Sequence, residues 1–353
     1  MNHTDLLTSP ELLEELLTTL QVQGLMPSSL RLIGLLGVGN NATVFSVTID
    51  EVYHVLKVYA AKERMRTELK HLRKVTPTDR LLYSWEDQIE GFNFYFFVVE
   101  MPPGQQLTSN DLTLARTKSL SEQLVELHRV RFKQRVSVST LKRRLQQCRI
   151  AIDQVERLDL DRTQLQQLFK DLKRLLDERA EAFRIEKSRV HGDLWWPNVI
   201  STESGAYLID WDEMHRADPA EDIAKLRVHL WFPRNAFPSR NFFWTKPSHT
   251  FRVQSLMQEL ITTHDAEFNE DMRLRLRFYL SLYGLKALAE LAIGASIVEP
   301  ILRPSLYRLL AEDVLRLGAD PTAAIPNLAG TEYYSLIRRS RIERLDGLPG
   351  THH

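Results

Sequence analysis

Apolar residues near the start of the chain recur at helical spacing. Ser9-Pro10-Glu11-Leu12 reads as an N-cap followed by proline at the first helical position. Leu12, Leu13, Leu16, Leu17 and Leu20 then line one face, and Gly24 and Pro27 end it. From Leu30 to Met101 the period shortens to that of strands. Leu30–Leu36, Thr43–Val47, Val52–Tyr59, Leu81–Trp85 and Phe92–Val99 read as five strands, with Gly37-Val38-Gly39-Asn40-Asn41 as a turn. Met65, Leu69 and Leu72 have helical spacing within Lys62–Lys74.

Met101-Pro102-Pro103-Gly104 breaks the pattern, and the chain beyond it is mostly helical. The spacing predicts helices near 111–130, 138–157, 161–184, 219–230, 252–263, 270–295 and 304–317. A short β pair, Val199–Ser201 with Tyr207–Ile209, interrupts them across the turn-rich Thr202-Glu203-Ser204-Gly205-Ala206. The expected organisation is α+β: a lead-in helix over 1–29, a small β-rich lobe over 30–101, a linker over 102–106 and a helical lobe over 107–353. Such an architecture has a cleft between its halves, and clefts commonly hold ligands.

Composition narrows the picture. The 353 residues suit two lobes, and 43% hydrophobic content can fill their cores. Lys+Arg and Asp+Glu both number 46, so no global charge points to nucleic acid or an anionic membrane surface. Cys148 is the single cysteine, which excludes an intramolecular disulfide and fits a reducing compartment. It shares a helical face with Leu141, Leu145 and Ile152 and reads as a small buried residue rather than a reactive thiol. The first 23 residues lack a basic start and an apolar run, and no stretch of about 18 apolar residues occurs, so a cytoplasmic protein without a membrane span is expected.

Three groups of residues carry chemistry. Gly37 and Gly39, between two strands, let backbone N–H groups approach a phosphate. Because a strand comes next rather than a helix, neither a Walker nor a Rossmann loop fits. Lys57 sits among apolar strand residues and could neutralise phosphates. Glu68 on the next helix is the better-placed carboxylate to hold it, Glu63 being nearer the helix start. Taken singly, these residues read more simply as a hairpin turn, a surface lysine and a surface glutamate.

The strongest signal is His191-Gly192-Asp193-Leu194-Trp195-Trp196-Pro197-Asn198, followed by the β pair and Leu208-Ile209-Asp210-Trp211-Asp212. Phosphoryl transfer to an alcohol needs a carboxylate to receive the hydroxyl proton and oxygen ligands for Mg2+. An Asp, an Asn five residues on and an Asp ending a hairpin supply all three. The His-x-Asp-x-x-x-x-Asn pattern alone arises by chance in roughly 4% of chains this long. The weight therefore lies in its order after a glycine turn and a strand lysine.

These motifs resemble the aminoglycoside phosphotransferase and choline kinase group, the small-molecule branch of the protein-kinase-like fold, from about Leu30 to Arg227. His-Gly-Asp and Ile-Asp-Trp-Asp are similar to that branch, as are Leu124-Val125-Glu126-Leu127-His128 and Asp218-Pro219-Ala220-Glu221-Asp222-Ile223-Ala224. The resemblance implies a bilobal kinase-like fold using ATP and Mg2+, with Asp193 as base and Asn198 and Asp210 as metal ligands. It implies Lys57 and Glu68 as phosphate-binding lysine and partner, Gly37 and Gly39 as the nucleotide-covering loop, and Glu100 and Met101 as the hinge against adenine. His191 and Asp222 would support the catalytic loop.

The chain departs from the pattern at Ala42, where a third glycine is usual, and at Trp195-Trp196. No Ala-Pro-Glu segment comes after Asp212, which disfavours a protein substrate. A small-molecule hydroxyl acceptor is expected, with a protein kinase and a nucleotide-binding pseudokinase as alternatives. Trp231-Phe232-Pro233-Arg234 and Phe242-Phe243-Trp244 read as packing before a cation-binding face, and Arg338-Arg339-Ser340-Arg341 with Arg344 as a solvated helix face.

Overall fold

The computed structural model describes residues 10–24, 26–38, 42–75, 81–89, 92–100, 104–106, 113–153, 162–195, 198–203, 205–229, 259, 269–292 and 303–321. The aromatic stretch at 231–244, the arginine cluster at 338–344 and all but residue 259 of the helix expected over 252–263 lie outside them. The chain divides into two compact units, Met1–Pro103 with Asp210–Met214, and Gly104–Ile209 with His215–His353.

The first unit is a five-stranded antiparallel sheet with two helices. Its elements are α1 (Pro10–Val22), β1 (Arg31–Val38), β2 (Ala42–Ile49), β3 (Val52–Tyr59), α2 (Lys62–Val75), β4 (Leu81–Ile89) and β5 (Phe92–Glu100), with strand order β1-β2-β3-β5-β4. Asp50 and Glu51 join β2 to β3 with φ of 49° and 65°, the doubly left-handed pair that matches strand twist in a two-residue hairpin. Gly37 and Val38, expected in a turn, are strand residues opposite Val44 and Thr43, because pairing resumes past a register shift between Leu35 and Gly37.

Strand alternation decides what each face carries. Leu56 and Val58 of β3 join Phe45, Val47, Ile49, Phe96 and Val98 in one core, which Leu13, Leu17 and Leu20 of α1 complete. Each such leucine contributes roughly 1.5–3 kcal/mol through burial. Lys57 and Tyr59 face the opposite way. On that side α2 buries Met65, Glu68, Leu69 and Leu72.

The second unit contains β6 (Gln105–Gln106), α3 (Leu114–Arg129), β7 (Arg131–Arg135), α4 (Val138–Asp153), α5 (Arg162–Glu178), α6 (Ala180–Phe183), β8 (Glu186–Val190), β9 (Val199–Ser201), β10 (Ala206–Leu208), β11 (His215–Ala217), α7 (Ala220–His229), α8 (Glu270–Ala292) and α9 (Arg303–Ala319). The helix expected over 161–184 is broken at Arg179 into α5 and α6. Two three-stranded sheets form, β10-β9-β6 and β11-β8-β7, where only the β9/β10 pair was expected. Gly104 has φ of 149°, and a Cβ there would stand 2.1 Å from the Ser201 carbonyl oxygen, so only glycine lets the chain pass β9. Cys148 is half-buried, not buried, because Leu141, Leu145 and Ile152 take the inner face of α4.

α8 is the axis of this unit. It is apolar on nearly all sides, burying Met272, Leu276, Phe278, Tyr279, Leu282 and Leu285, as a helix enclosed by others must. Asn269 caps it, its Oδ1 accepting from Met272 N at 2.8 Å. No described helix is long and apolar enough to cross a membrane.

Between α7 and α9, the buried Arg227 donates to both oxygens of the buried Asp313, at 3.0 and 3.2 Å. Asp313→Ala would strand a buried guanidinium and should cost about 3–5 kcal/mol in urea unfolding, whereas Arg227→Met with Asp313→Leu should recover most of it.

Candidate active site

In the first unit the chemistry centres on Lys57. Its Nζ donates to Glu68 Oε1 at 2.6 Å and to Asp210 Oδ1 at 2.7 Å. Tyr59, two residues along the same face, donates its OH to Glu68 Oε2 at 2.5 Å. Burial works against the Lys57 charge, but Glu68 and Asp210 outweigh it and hold the ammonium above its ordinary pKa. Glu63, the other carboxylate considered, is exposed. His71 Nδ1 donates to the Trp211 carbonyl at 2.8 Å, so α2 holds the backbone of the 210–214 segment while Lys57 on β3 holds the Asp210 carboxylate. Asp210 itself has φ of 68°, an uncommon value away from glycine.

Gly37 lies on β1 opposite Val44, and Glu100 is exposed at the end of β5 opposite His54. Gly39 and Met101 lie outside the described residues.

In the second unit, residues 191–198 run from the end of β8 to the start of β9. The buried Asp222, in the first turn of α7, fixes the front of this loop. Its Oδ2 accepts from His191 N at 2.7 Å, and its Oδ1 from Gly192 N at 3.0 Å. His128, buried near the end of α3, donates Nε2 to the same carboxylate at 2.9 Å. Burial alone would raise the Asp222 pKa. Hydrogen bonding from His128, the electrostatic influence of the His128 and His191 rings and the Gly192 amide win, holding it well below the usual carboxylate range.

His191 Nε2 donates to the Ile209 carbonyl at 2.9 Å, and its Nδ1 accepts from Asp193 N at 3.4 Å. The ring thus braces the loop against the strand that leads to Asp210, with its proton on Nε2. Gly192 has φ of 84°, in the left-handed region that favours glycine. Asn198 Nδ2 donates to the Asp193 carbonyl at 2.9 Å and to its carboxylate at 3.4 Å, which turns Asn198 Oδ1 away from Asp193. Lys225 Nζ donates to the Gly192 carbonyl. Burial pulls that ammonium below its ordinary pKa, although Glu221, Asp222 and Asp193 oppose the shift.

The structure therefore brings Lys57, Glu68 and Asp210 together in one unit, and His191, Asp193, Asn198 and Asp222 in the other. Sequence reasoning missed Tyr59, His71, His128 and Lys225. Tyr59 was findable as the residue two places along the strand from Lys57, and His128 ended a segment already marked as similar to kinases.

A family model described as the phosphotransferase enzyme family matches residues 36–242. The chain belongs to this family. No curated protein matches this phosphotransferase. Among solved structures it is similar to a thermostable mutant of aminoglycoside phosphotransferase APH(4)-Ia, with a TM-score of 0.56 and 15% identity over 87% of this chain and 99% of that one. That protein has also been solved in ternary complexes with ADP and hygromycin B and with AMP-PNP and hygromycin B. A choline/ethanolamine kinase family protein from Mesorhizobium loti has a TM-score of 0.54 and 14% identity over 93% of this chain and 98% of its own. An ethanolamine kinase from Plasmodium vivax has a TM-score of 0.54 and 13% identity over 88% and 90%. The fold of this phosphotransferase is thus that of the small-molecule kinases, as its motifs led one to expect.

Asp222 binds protons less readily folded than unfolded, so its contribution to stability is complete above about pH 4, the unfolded carboxylate pKa, and is lost as pH falls through its lower folded value. Asp222→Asn should lower stability by roughly 3 kcal/mol at pH 7. The gap from wild type should narrow below about pH 4 in thermal melts run as a pH series.

Proposed function

We propose that this phosphotransferase moves the γ-phosphoryl group of ATP, with Mg2+, onto a hydroxyl of a small molecule. The observation that carries the reading is Lys57, held charged between Glu68 and Asp210. A lysine so fixed is a phosphate ligand waiting on a strand, with one carboxylate to orient it and another that a metal can share. The nucleotide complexes of the structurally similar aminoglycoside phosphotransferase support ATP as donor. A cytoplasmic setting belongs to the same reading.

The donor set suits Mg2+. Asn198 offers an amide oxygen that its Nδ2 hydrogen bonds do not use, and Asp210 has a second carboxylate oxygen beside the one that Lys57 holds. Both are hard oxygen ligands. When bound, Mg2+ offsets the negative charge of the phosphates.

The protein's own part is positioning and electrostatics. Lys57 binds phosphate oxygens while Glu68 and Tyr59 keep it from swinging away. Asp193, its backbone set by Asp222 and its carbonyl held by Asn198, orients the acceptor hydroxyl and receives its proton as the new P–O bond forms. His191 holds the loop to the end of β10, so that Asp193 and the chain entering Asp210 keep a common reference.

The acceptor class rests on kinship in fold. Neighbours named for aminoglycosides, choline and ethanolamine support a small alcohol, and fold alone makes no further choice. The test is Mg·ATP consumption with mass detection of products over choline, ethanolamine, sugars, amino acids, nucleosides and aminoglycosides. Wild type should add one phosphoryl group to a member of one class. Asp193→Asn and Asp210→Ala should each lose on the order of a thousandfold or more in kcat, and Lys57→Met should lose about a hundredfold. Variants of Asp193 and Asp210 that both kept near wild-type rates would refute the assignment, and phosphate on the protein alone would favour a protein kinase.

A further inference from the structure

We propose that Lys225 is a positioning residue for phosphoryl transfer, fixing the peptide that carries Asp193; the proposal rests on the reading of Asp193 given above. Gly192 is the least constrained residue of the loop, since it lacks a Cβ and sits at φ of 84°. Whatever sets its two dihedral angles sets the direction in which Asp193 leaves. Its N–H belongs to the peptide before its Cα and its C=O to the peptide after.

Helix α7 grips both. Asp222 accepts from the N–H, and Lys225 donates to the C=O. These two residues are three apart, hence neighbours on one face of the helix. Asp222 does not reach the second peptide, whose N–H makes a long bond of 3.4 Å to His191 Nδ1. Lys225 adds a restraint at its carbonyl and so opposes rotation about ψ of Gly192.

Lys225 is an unusual choice if it served only to stabilise the fold. It is half-buried, and among the described residues its one hydrogen bond goes to a neutral carbonyl and not to a carboxylate. A cation in that setting loses hydration without a matched ion pair. The nearby acid is already engaged: Glu221 accepts from Arg144 at 3.0 Å and from the Tyr283 hydroxyl. Arg144 also donates to Tyr283 OH at 2.9 Å. This network fixes the Tyr283 ring, whose centroid lies 5.2 Å from Lys225 Nζ. The ring face accommodates the ammonium, and the ammonium points its bond at Gly192.

The experiment compares wild type, Lys225→Met and Lys225→Arg in full-length protein. It measures Mg·ATP hydrolysis with water as acceptor, thermal stability, and amide hydrogen exchange of the peptide covering 190–195. Lys225→Met should lower kcat about 10- to 100-fold with KM for ATP within about twofold of wild type. Exchange in 190–195 should quicken at least about tenfold while the melting temperature stays close to wild type. Lys225→Arg, which keeps a cationic donor, should return kcat to within about fivefold of wild type.

Unchanged kcat and exchange in Lys225→Met would overturn the proposal. So would losses that track the melting temperature, or that Lys225→Arg leaves in full. If wild type itself turned over no ATP with water or with any acceptor of the panel above, the phosphotransfer reading of the site would fail. The exchange comparison would then still decide whether Lys225 holds the loop.

Discussion

A carboxylate buried without a lysine or arginine pressed against it must be satisfied by other means, and Asp222 shows how far such a demand reaches. Two successive backbone amides and an imidazole meet it, and each comes from a different part of the chain than α7. The favourable bonds outweigh the desolvation that would otherwise neutralise the group. The amides belong to the loop that carries Asp193, so satisfying the charge and shaping the loop are one event. The helix bearing Asp222 is in turn tied down on several sides. Arg227 binds Asp313 on α9, Glu221 binds Arg144 on α4 and Tyr283 on α8, and Asp218 at the head of α7 pairs with Arg275 on α8 at 3.2 Å. Loop geometry therefore inherits the rigidity of the helical core.

The first unit solves a related problem with opposite sign. There a cation is buried, and two carboxylates hold it. Two acids around one lysine leave the group with surplus negative charge, which under the proposed function a metal cation at the more exposed acid would offset. The side chain of Asp210 is 36% exposed against 4% for Glu68. That difference separates their roles: Glu68, inside and also bonded to Tyr59, is a structural partner, while Asp210 stands at the surface of the unit and can change partners.

Much of this was legible in the sequence because it obeys short-range rules. Alternation in Val52–Tyr59 predicts that Lys57 leaves the apolar face, and helical spacing carries Glu68 to the inner side of α2. Long periodic helices such as α8 came through with ends within a few residues. What stayed hidden depends on partners far along the chain. β7 is Arg-Phe-Lys-Gln-Arg, with only Phe132 not exposed, and nothing in its local pattern distinguishes it from a loop; pairing with β8 makes it a strand. β6 has two residues and exists because β9 accepts it. His128 and Lys225 look like surface residues on helices until Asp222 and the loop after β8 are in place. Cys148 erred the other way, since an apolar stripe around it predicts more burial than the helix packing delivers.

The acceptor was the least legible feature, for a physical reason. Phosphate and metal chemistry need particular atoms at fixed spacing, which leave a motif, whereas recognition of an alcohol needs only a complementary surface and can be met in many ways. Kinship in fold at 13–15% identity reaches proteins named for aminoglycosides and for ethanolamine alike, so the shared scaffold does not discriminate. The residues beside the loop do impose one constraint. An amine-bearing acceptor such as an aminoglycoside or choline calls for unspent negative charge or open aromatic faces. Glu221 is already bound by Arg144 and Tyr283, and the Tyr283 ring already has Lys225 and Arg144 within 5.5 Å of its centroid. Neither group is therefore available to hold a cationic substrate, and recognition of an amine would have to be built from side chains other than these.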